Sequence, residues 1–428
     1  MSDSKAQTKV GEAQQGDKKP RAAGMGFIML AVLIDMISIG LIIPVLPPLV
    51  GTFASSPSEH TLAYLAVTLA FGVANFVGAP LLGALSDRYG RRPVMLIGFS
   101  GLALSFFTTA MASALWMLVL VRLFSGAMQA NAAVANAYVA DITPPEERAK
   151  RFGMLGATFG MGFILGPVMG GLLGDVNLHL PFYVAGCLAL LNWVYGYFVL
   201  PESLSPEHRR PFDWRAANPL ASFRKLRALK GVGGLVFVIA LSGLAQLVLQ
   251  TSWVLYTGFK FGWGPKDNGL SLFAVGVMSV LVQGFLLKHL LRRFAAERLV
   301  LLGLFSSIVA NLLWGAASVG WMMYAVIVFN LLGFATATIV QSLISNAADA
   351  RTQGQTMGAV ASLNSLMAVL APAIGSGLMY FVAELPRGDW RIGAPFYFCA
   401  AMQLLSLVFA WRHFSHSRRA AAAMPHVS

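Results

Sequence analysis

Twelve runs of about 20 predominantly apolar residues, separated by short polar loops, leave this chain few ways to fold. They read near 25–49, 61–82, 94–112, 115–138, 152–174 and 181–200. After a basic stretch they resume near 233–256, 268–289, 299–316, 320–343, 355–381 and 392–411. A run of that length crosses the hydrocarbon core as a helix, because a helix satisfies each backbone N–H and C=O within its own segment. With 57% apolar and 11% charged residues over 428 positions, the chain is too apolar for a soluble globular protein. The expectation is an all-α membrane protein of twelve transmembrane helices in two pseudo-symmetric six-helix halves. A disordered cytoplasmic tail (1–24) would lead into a first half (25–200), a cytoplasmic connector (201–232), a second half (233–413) and a cytoplasmic tail (414–428).

Basic residues near span ends are retained on the cytoplasmic side. If both termini are inside, the inner segments hold 26 Lys and Arg against four in the outer loops (Lys260, Lys266, Arg387 and Arg391), and Arg122 alone lies within a span. That bias predicts cytoplasmic termini. The net charge of +13 then reads as a topological signal and an affinity for anionic lipid headgroups, not as a nucleic-acid footprint. Cys187 and Cys399 fall inside spans, where packing is the expected use. Residues 1–24 are polar and carry no evident cleavable signal, so the first span is expected to direct its own insertion. The histidines are scattered without metal-ligand spacing, and no Gly-x-x-x-x-Gly-Lys-Ser/Thr loop is present. No metal, no cofactor and no ATP hydrolysis are therefore expected. An intramembrane enzyme would need a nucleophile–base pair or clustered ligands within the spans, and neither is found.

Two ionisable residues lie within the spans. Asp35 sits about ten residues into the first, roughly 15 Å deep and near the midplane. An acid there must face a cavity, find a partner or bind a proton; a structural hydrogen bond to a neighbouring helix is the alternative. Arg122 lies roughly 10 Å in from the outer end of the fourth span. Gln129 and Asn136 follow at i+7 and i+14, so the three share a helical face with Ser125 beside them. The alternative for Arg122 is snorkelling to the outer interface.

Between the second and third spans, Gly83, Asp87, Arg88, Gly90, Arg91 and Arg92 form a compact charged loop. Positive-inside charge explains its arginines but not its glycines and aspartate. The fifth span carries Gly156, Gly160, Gly162, Gly166-Pro167, Gly170-Gly171 and Gly174, small residues at helical spacing that allow close packing beside a proline that loosens the ladder. It reads either as a static seam or as a helix that seals and bends. In the second half, Ser242, Gln246 and Gln250 share a face of the seventh span with Trp253 near it, and Ser279 and Gln283 share one on the eighth. With Asn75, Gln341, Asn346 and Asn364, these suit an amphipathic ligand held by shape and a few dipoles. Interhelical hydrogen bonding is the alternative for each. The connector to Lys230 reads equally as an amphipathic helix on the inner leaflet or as a solvated linker.

The two halves align at a constant offset of 205 residues: Arg88 with Arg293, Tyr89 with Phe294, and Gly153, Pro167 and Gly170 with Gly358, Pro372 and Gly375. They read as duplicates in parallel topology. Asp35 is matched by Ala240 and Asp87 by Arg292, so the copies have diverged.

These features resemble the major facilitator superfamily and, within it, the tetracycline-efflux group of drug:proton antiporters. The resemblance covers almost all of 25–413 and is carried by Leu33–Pro47, Gly83–Pro93, Val121-Arg122-Leu123, Tyr138–Thr143, Gly166–Gly171 and Leu200–Ser203. It implies a monomeric transporter in a bacterial inner membrane that exports a lipophilic small molecule by alternating access, driven by proton entry. Asp35 and Arg122 would serve proton coupling. Asn75, Gln129, Asn136, Gln246, Gln250, Trp253, Ser279 and Gln283 would contact substrate. Gly83, Asp87, Arg88, Gly90, Arg91 and Arg92, with Gly166, Pro167, Gly170 and Gly171, would serve gating. Tetracycline pumps carry further ionisable groups in the third, eighth and ninth spans, where this chain has Ser105, Ser279 and Ser307. A more apolar drug or a metabolite is the other expectation, and a nutrient facilitator or a non-transporting receptor of the same fold remain alternatives.

Overall fold

The computed structural model describes residues 21–212, 233–347 and 353–423, and no strand occurs among them. The first half is built from α1 (Arg21–Ile42), α2 (Leu46–Gly51), α3 (Pro57–Tyr89), α4 (Arg91–Ala110), α5 (Leu115–Met128), α6 (Asn131–Ile142), α7 (Arg148–Val176) and α8 (Leu180–Phe198). The second half contains α9 (Gly233–Phe261), α10 (Pro265–Leu281), α11 (Leu287–Arg293), α12 (Ala296–Ala316), α13 (Trp321–Phe329), α14 (Leu331–Ala347), α15 (Gln353–Val382) and α16 (Ala394–Ala423). Among the described residues, eleven spans are long and apolar enough to cross a membrane, and the pair α13–α14, bent by 47°, makes the twelfth. The connector beyond Phe212 and the tail before Arg21 lie outside the described residues. At the other terminus the helix continues past residue 414 as far as Ala423, so part of the expected tail is an extension of the last span.

Several spans are broken, and side chains explain the breaks. The fourth span divides between α5 and α6, where Asn75 Nδ2 on α3 donates to Gln129 O at 2.7 Å and to Gly126 O at 3.4 Å. α3 and α5 cross there backbone to backbone: a Cβ on Gly78 would sit 2.7 Å from Ala127 Cα, and one on Gly126 would meet Phe71 O. The amide thus occupies carbonyls that the helix leaves open at its end. The fourth span of the second half also breaks, beside Asn330, whose Oδ1 accepts from Ser306 Oγ at 3.0 Å. In the second span Pro80 removes a ladder donor within α3. At the offset position, α10 passes into α11 through a π-helical turn, Val282–Leu286. The repeat preserves the irregularity although the proline is not repeated.

Packing is also duplicated. α1 lies on α7 and α8 and α4 on α8; in the second half α9 lies on α15 and α16 and α12 on α16. The halves meet through α7 on α10 and α3 on α15, two contacts that exchanging the halves maps onto each other. Both contacts are concentrated away from the end where the connector begins. On α7, Ile164, Pro167, Gly171 and Gly174 touch Gly276, Gly269 and Pro265 of α10. Gly160 and Gly153 continue the same face, yet nothing lies within 4 Å of where a side chain would begin on either. On α3, a Cβ on Gly72 would sit 3.3 Å from Ala368 O, whereas one on Gly83, three turns on, would meet open space. At the far end Ser58 N donates to Glu384 Oε1 at 3.0 Å, and the hydrogen bonds from Ser58 hold the Glu384 carboxyl below its ordinary value. The molecule is therefore sealed at the far end and parted at the connector end.

Candidate functional site: a central cavity and a buried carboxylate

Asp35 is buried on α1 and accepts one hydrogen bond, 3.1 Å from Asn131 Nδ2. Asn131 opens α6 just after the break, and a Cβ on Gly98 of α4 would collide with its side-chain oxygen. The glycine makes room for the amide, and the amide reaches the acid. Around them α1 is clamped to α7: side chains added at Gly162, Gly166 or Gly170 would strike Met36, Gly40 or Leu41. Sequence reasoning missed Asn131, because an unbroken helix puts it off the Arg122–Gln129–Asn136 face. The break re-aims everything after Met128. Asn136 consequently lies exposed and donates to Ala132 O of its own helix at 2.8 Å.

Arg122 lines a cavity of about 270 Å³. Its walls are Ile39, Ile42, Ile43, Leu46, Val67, Phe71, Leu102 and Phe106, with Tyr64, Thr68, Asn75, Ser105, Ser125 and Gln129 as polar groups; the second half adds Thr251, Ala368 and Pro372. Arg122 is 5% exposed, and its Nε and Nη2 have no hydrogen-bond partner. Ser105 Oγ is also buried without a partner. No ion pair joins Arg122 to Asp35 among the described residues. An unpaired buried charge of this kind carries an effective penalty of several kcal/mol.

Of the expected substrate contacts, Asn75 and Gln129 line this cavity; Asn136, Gln246, Gln250, Trp253, Ser279 and Gln283 do not. Trp253 belongs to the second-half core. Its Nε1 donates to Ser271 Oγ at 3.0 Å and its ring packs on Trp314 and Phe396. Gln283 links Ser279 to Thr338, at 2.6 and 3.2 Å, and so ties α14 to the π-helical turn. Gln246, Gln250, Gln341 and Asn364 are exposed; the side chain of Asn346 lies outside the described residues. Ser242 makes interhelical bonds, to Gln403 Oε1 at 3.0 Å and Ser406 Oγ at 3.2 Å. Ser307 sits in the second-half core, its carbonyl bonded by Asn311.

At the connector end, Gly90 joins α3 to α4 with φ +109°, a backbone region open essentially to glycine. Glu202, at the start of the connector, caps α4 by accepting from Arg91 N at 2.8 Å and Arg92 N at 3.3 Å. Arg91 is buried between Asp87 (2.5 Å) and Asp141 (3.0 Å) and donates to Ser86 Oγ. Arg92 donates to Gly196 O and Tyr197 O, and Arg88 stands over the Tyr89 ring. Arg210 N donates to Asp87 O at 3.0 Å. Every one of these partners belongs to the first half or the start of the connector. The expected loop is not one: Gly83 to Tyr89 end α3 and Arg91 and Arg92 open α4, with Gly90 alone between them, and in this shape the segment braces one half and does not bridge the two. Gly90→Ala is expected to destabilise by about 1–3 kcal/mol, because a Cβ there would strike the Glu202 carboxylate; thermal unfolding of the purified protein checks it. The fifth-span motif is divided between two faces of α7. Gly166 and Gly170 press on α1, whereas Pro167 O and Gly171 press on Gly269 of the other half.

Comparison with known proteins places this architecture. The family profile described as Major Facilitator Superfamily matches residues 28–372. The class C tetracycline resistance protein of Escherichia coli is 36% identical over 373 residues, covering 86% of this chain and 93% of that one. The class B protein of Escherichia coli is 34% identical, over 89% and 94%. Among solved structures, the human organic anion transporter MFSD10 superposes with TM-score 0.67 at 22% identity, covering 92% of this chain and all of that one. The nucleoside transporter NupG superposes with TM-score 0.72 at 13% identity, covering 91% and 98%. At such identities the structural likenesses show the fold. Twelve spans in two duplicated halves, the profile match and the extent of the curated relatives agree: this chain belongs to the Major Facilitator Superfamily, as a multi-pass membrane transporter.

Proposed function

We propose that this protein is a proton-coupled secondary efflux transporter that exports a lipophilic or amphipathic small molecule by alternating access. The observation that carries the reading is a molecule sealed at one end around a central cavity, with an acid buried one helical turn before the lining residue Ile39 whose hydrogen-bond partner is a neutral amide. Asp35 is the proton site: among the described residues no cation pairs with it to hold it charged, so loading and unloading a proton alters what the Asp35–Asn131 pair can donate or accept. Arg122 is the fixed charge that responds to the cavity's contents. The positive-inside bias supports a cytoplasmic connector end, and the described shape is then the one that admits substrate from the cytoplasm or inner leaflet. On closure at that end, Asp87, Arg88 and Arg92 would move against the second half as the far-end contact of Gly171 with Gly269 parts. The relatives being tetracycline resistance proteins makes that drug class the first to try, although Ser105 in the cavity wall offers no charge for a metal chelate. The working unit is a monomer, held by its basic margins against anionic lipid.

Substrate-induced proton release from proteoliposomes tests the reading, with tetracyclines, amphenicols and lipophilic cations as the panel. A pH signal from one class supports antiport and names that class. Silence across the panel, with the protein shown to be folded, rejects proton exchange for these compounds and favours a metabolite exporter or facilitator.

A further inference from the structure

The cavity is electrostatically unbalanced. Among the described residues, Arg122 is its one charged lining residue, and none of the others that line it is an acid. The buried Asp35 is not part of the lining and is engaged by Asn131. Arginine does not discharge its proton in proteins, so the charge is permanent. Its Nε and Nη2 are without partners at 5% exposure, and the buried Ser105 hydroxyl, another wall residue, is unpartnered as well. The remaining wall is aliphatic and aromatic: Ile39, Ile42, Leu46, Phe71 and Phe106. Guanidinium donors match the two oxygens of a carboxylate or sulfonate, and apolar walls suit a hydrocarbon body.

We infer that Arg122 and Ser105 form a subsite for the anionic head of an amphipathic organic acid, and that such monoanions are a substrate class of this transporter. This deepens the efflux reading and rests on it for transport, while binding is tested separately. The charge balance of transport follows directly. Exporting a monoanion in exchange for one entering proton moves two positive charges inward per cycle, against one for a neutral substrate and none for a monocation.

The experiment uses full-length protein purified in detergent and three isosteric probes: 2-naphthoate, its neutral amide 2-naphthamide, and the cation 2-naphthylmethylammonium. Thermal stabilisation is followed against probe concentration. The expected result is that naphthoate stabilises at concentrations at least about tenfold lower than the other two, a difference of about 1.4 kcal/mol. Arg122→Gln is expected to abolish that preference, with Arg122→Lys and Ser105→Ala each reducing it in part. Equal stabilisation by amide or ammonium in the unmodified protein overturns the proposal without any variant having to fold, and so does a preference that survives Arg122→Gln. Naphthoate binding without proton-coupled movement in proteoliposomes keeps the subsite but removes such monoanions as a substrate class, and the efflux reading falls only if the drug panel is silent as well. Proton-coupled transport of neutral or cationic drugs with no anion preference keeps the efflux reading and sinks the subsite.

Discussion

Asp35→Asn is expected to eliminate uphill efflux while leaving folded protein in the membrane. The substitution is isosteric, and an amide at position 35 can still pair with Asn131, accepting through its oxygen where Asp35 Oδ1 now accepts at 3.1 Å. The clamp of Gly162, Gly166 and Gly170 on α1 is untouched, so packing gives no reason for unfolding. What disappears, on the proposed mechanism, is the group that carries the proton. With transport driven by an imposed pH gradient, the variant should fall by about a hundredfold or more, as expected when a step needing proton transfer loses its carrier. Exchange of substrate across the membrane without a gradient should persist, since the cavity residues remain. Asp35→Glu, which restores the acid with one more methylene, should recover part of the coupled activity. Undiminished uphill efflux by Asp35→Asn would remove Asp35 from the mechanism and leave it a structural acid.

The second large effect is expected at the far-end seal. A Cβ on Gly269 would lie 2.5 Å from Pro167 O and 2.9 Å from Gly171 Cα. Those are backbone atoms of the opposing helix and cannot rotate aside like a side chain. Gly269→Leu should therefore hold the two halves apart at that end and penalise the shape described here. Thr68 lines the cavity, so a cysteine placed there reports access to it, in a background with the exposed Cys187 changed to Ser. Labelling by a membrane-impermeant thiol reagent from the far side should accelerate about tenfold or more, a population shift of at least about 1.4 kcal/mol. Coupled efflux should fall in parallel. An unchanged labelling rate would mean that the Gly171–Gly269 approach is incidental to closure. The Ser58–Glu384 contact is a weaker part of the same seal. Because Glu384 is held below its ordinary carboxyl value of 4.5 in the folded protein, its contribution is complete above that value and is lost only as pH falls through the lowered one.

The sequence alone determined the class of fold, because span length and backbone hydrogen bonding in lipid leave helices as the solution for such runs. It also determined the duplication, since a constant offset of 205 residues can be read without coordinates, and it singled out Asp35 and Arg122, because charge within a span is too costly to be casual. Tertiary structure decided what those residues touch. Periodicity along an unbroken fourth span placed Arg122, Gln129 and Asn136 on one face, but the Asn75 amide ends α5 at Met128. Asn131, which looked like one more polar residue off that face, then became the partner of Asp35. Trp253 looked like a pocket aromatic by helical spacing and is a core aromatic by contact. The fifth-span glycines looked alike and serve two different interfaces. In each case the deciding contact joins residues from different spans, many positions apart in the chain, and local spacing carries no information about which helix will stand opposite.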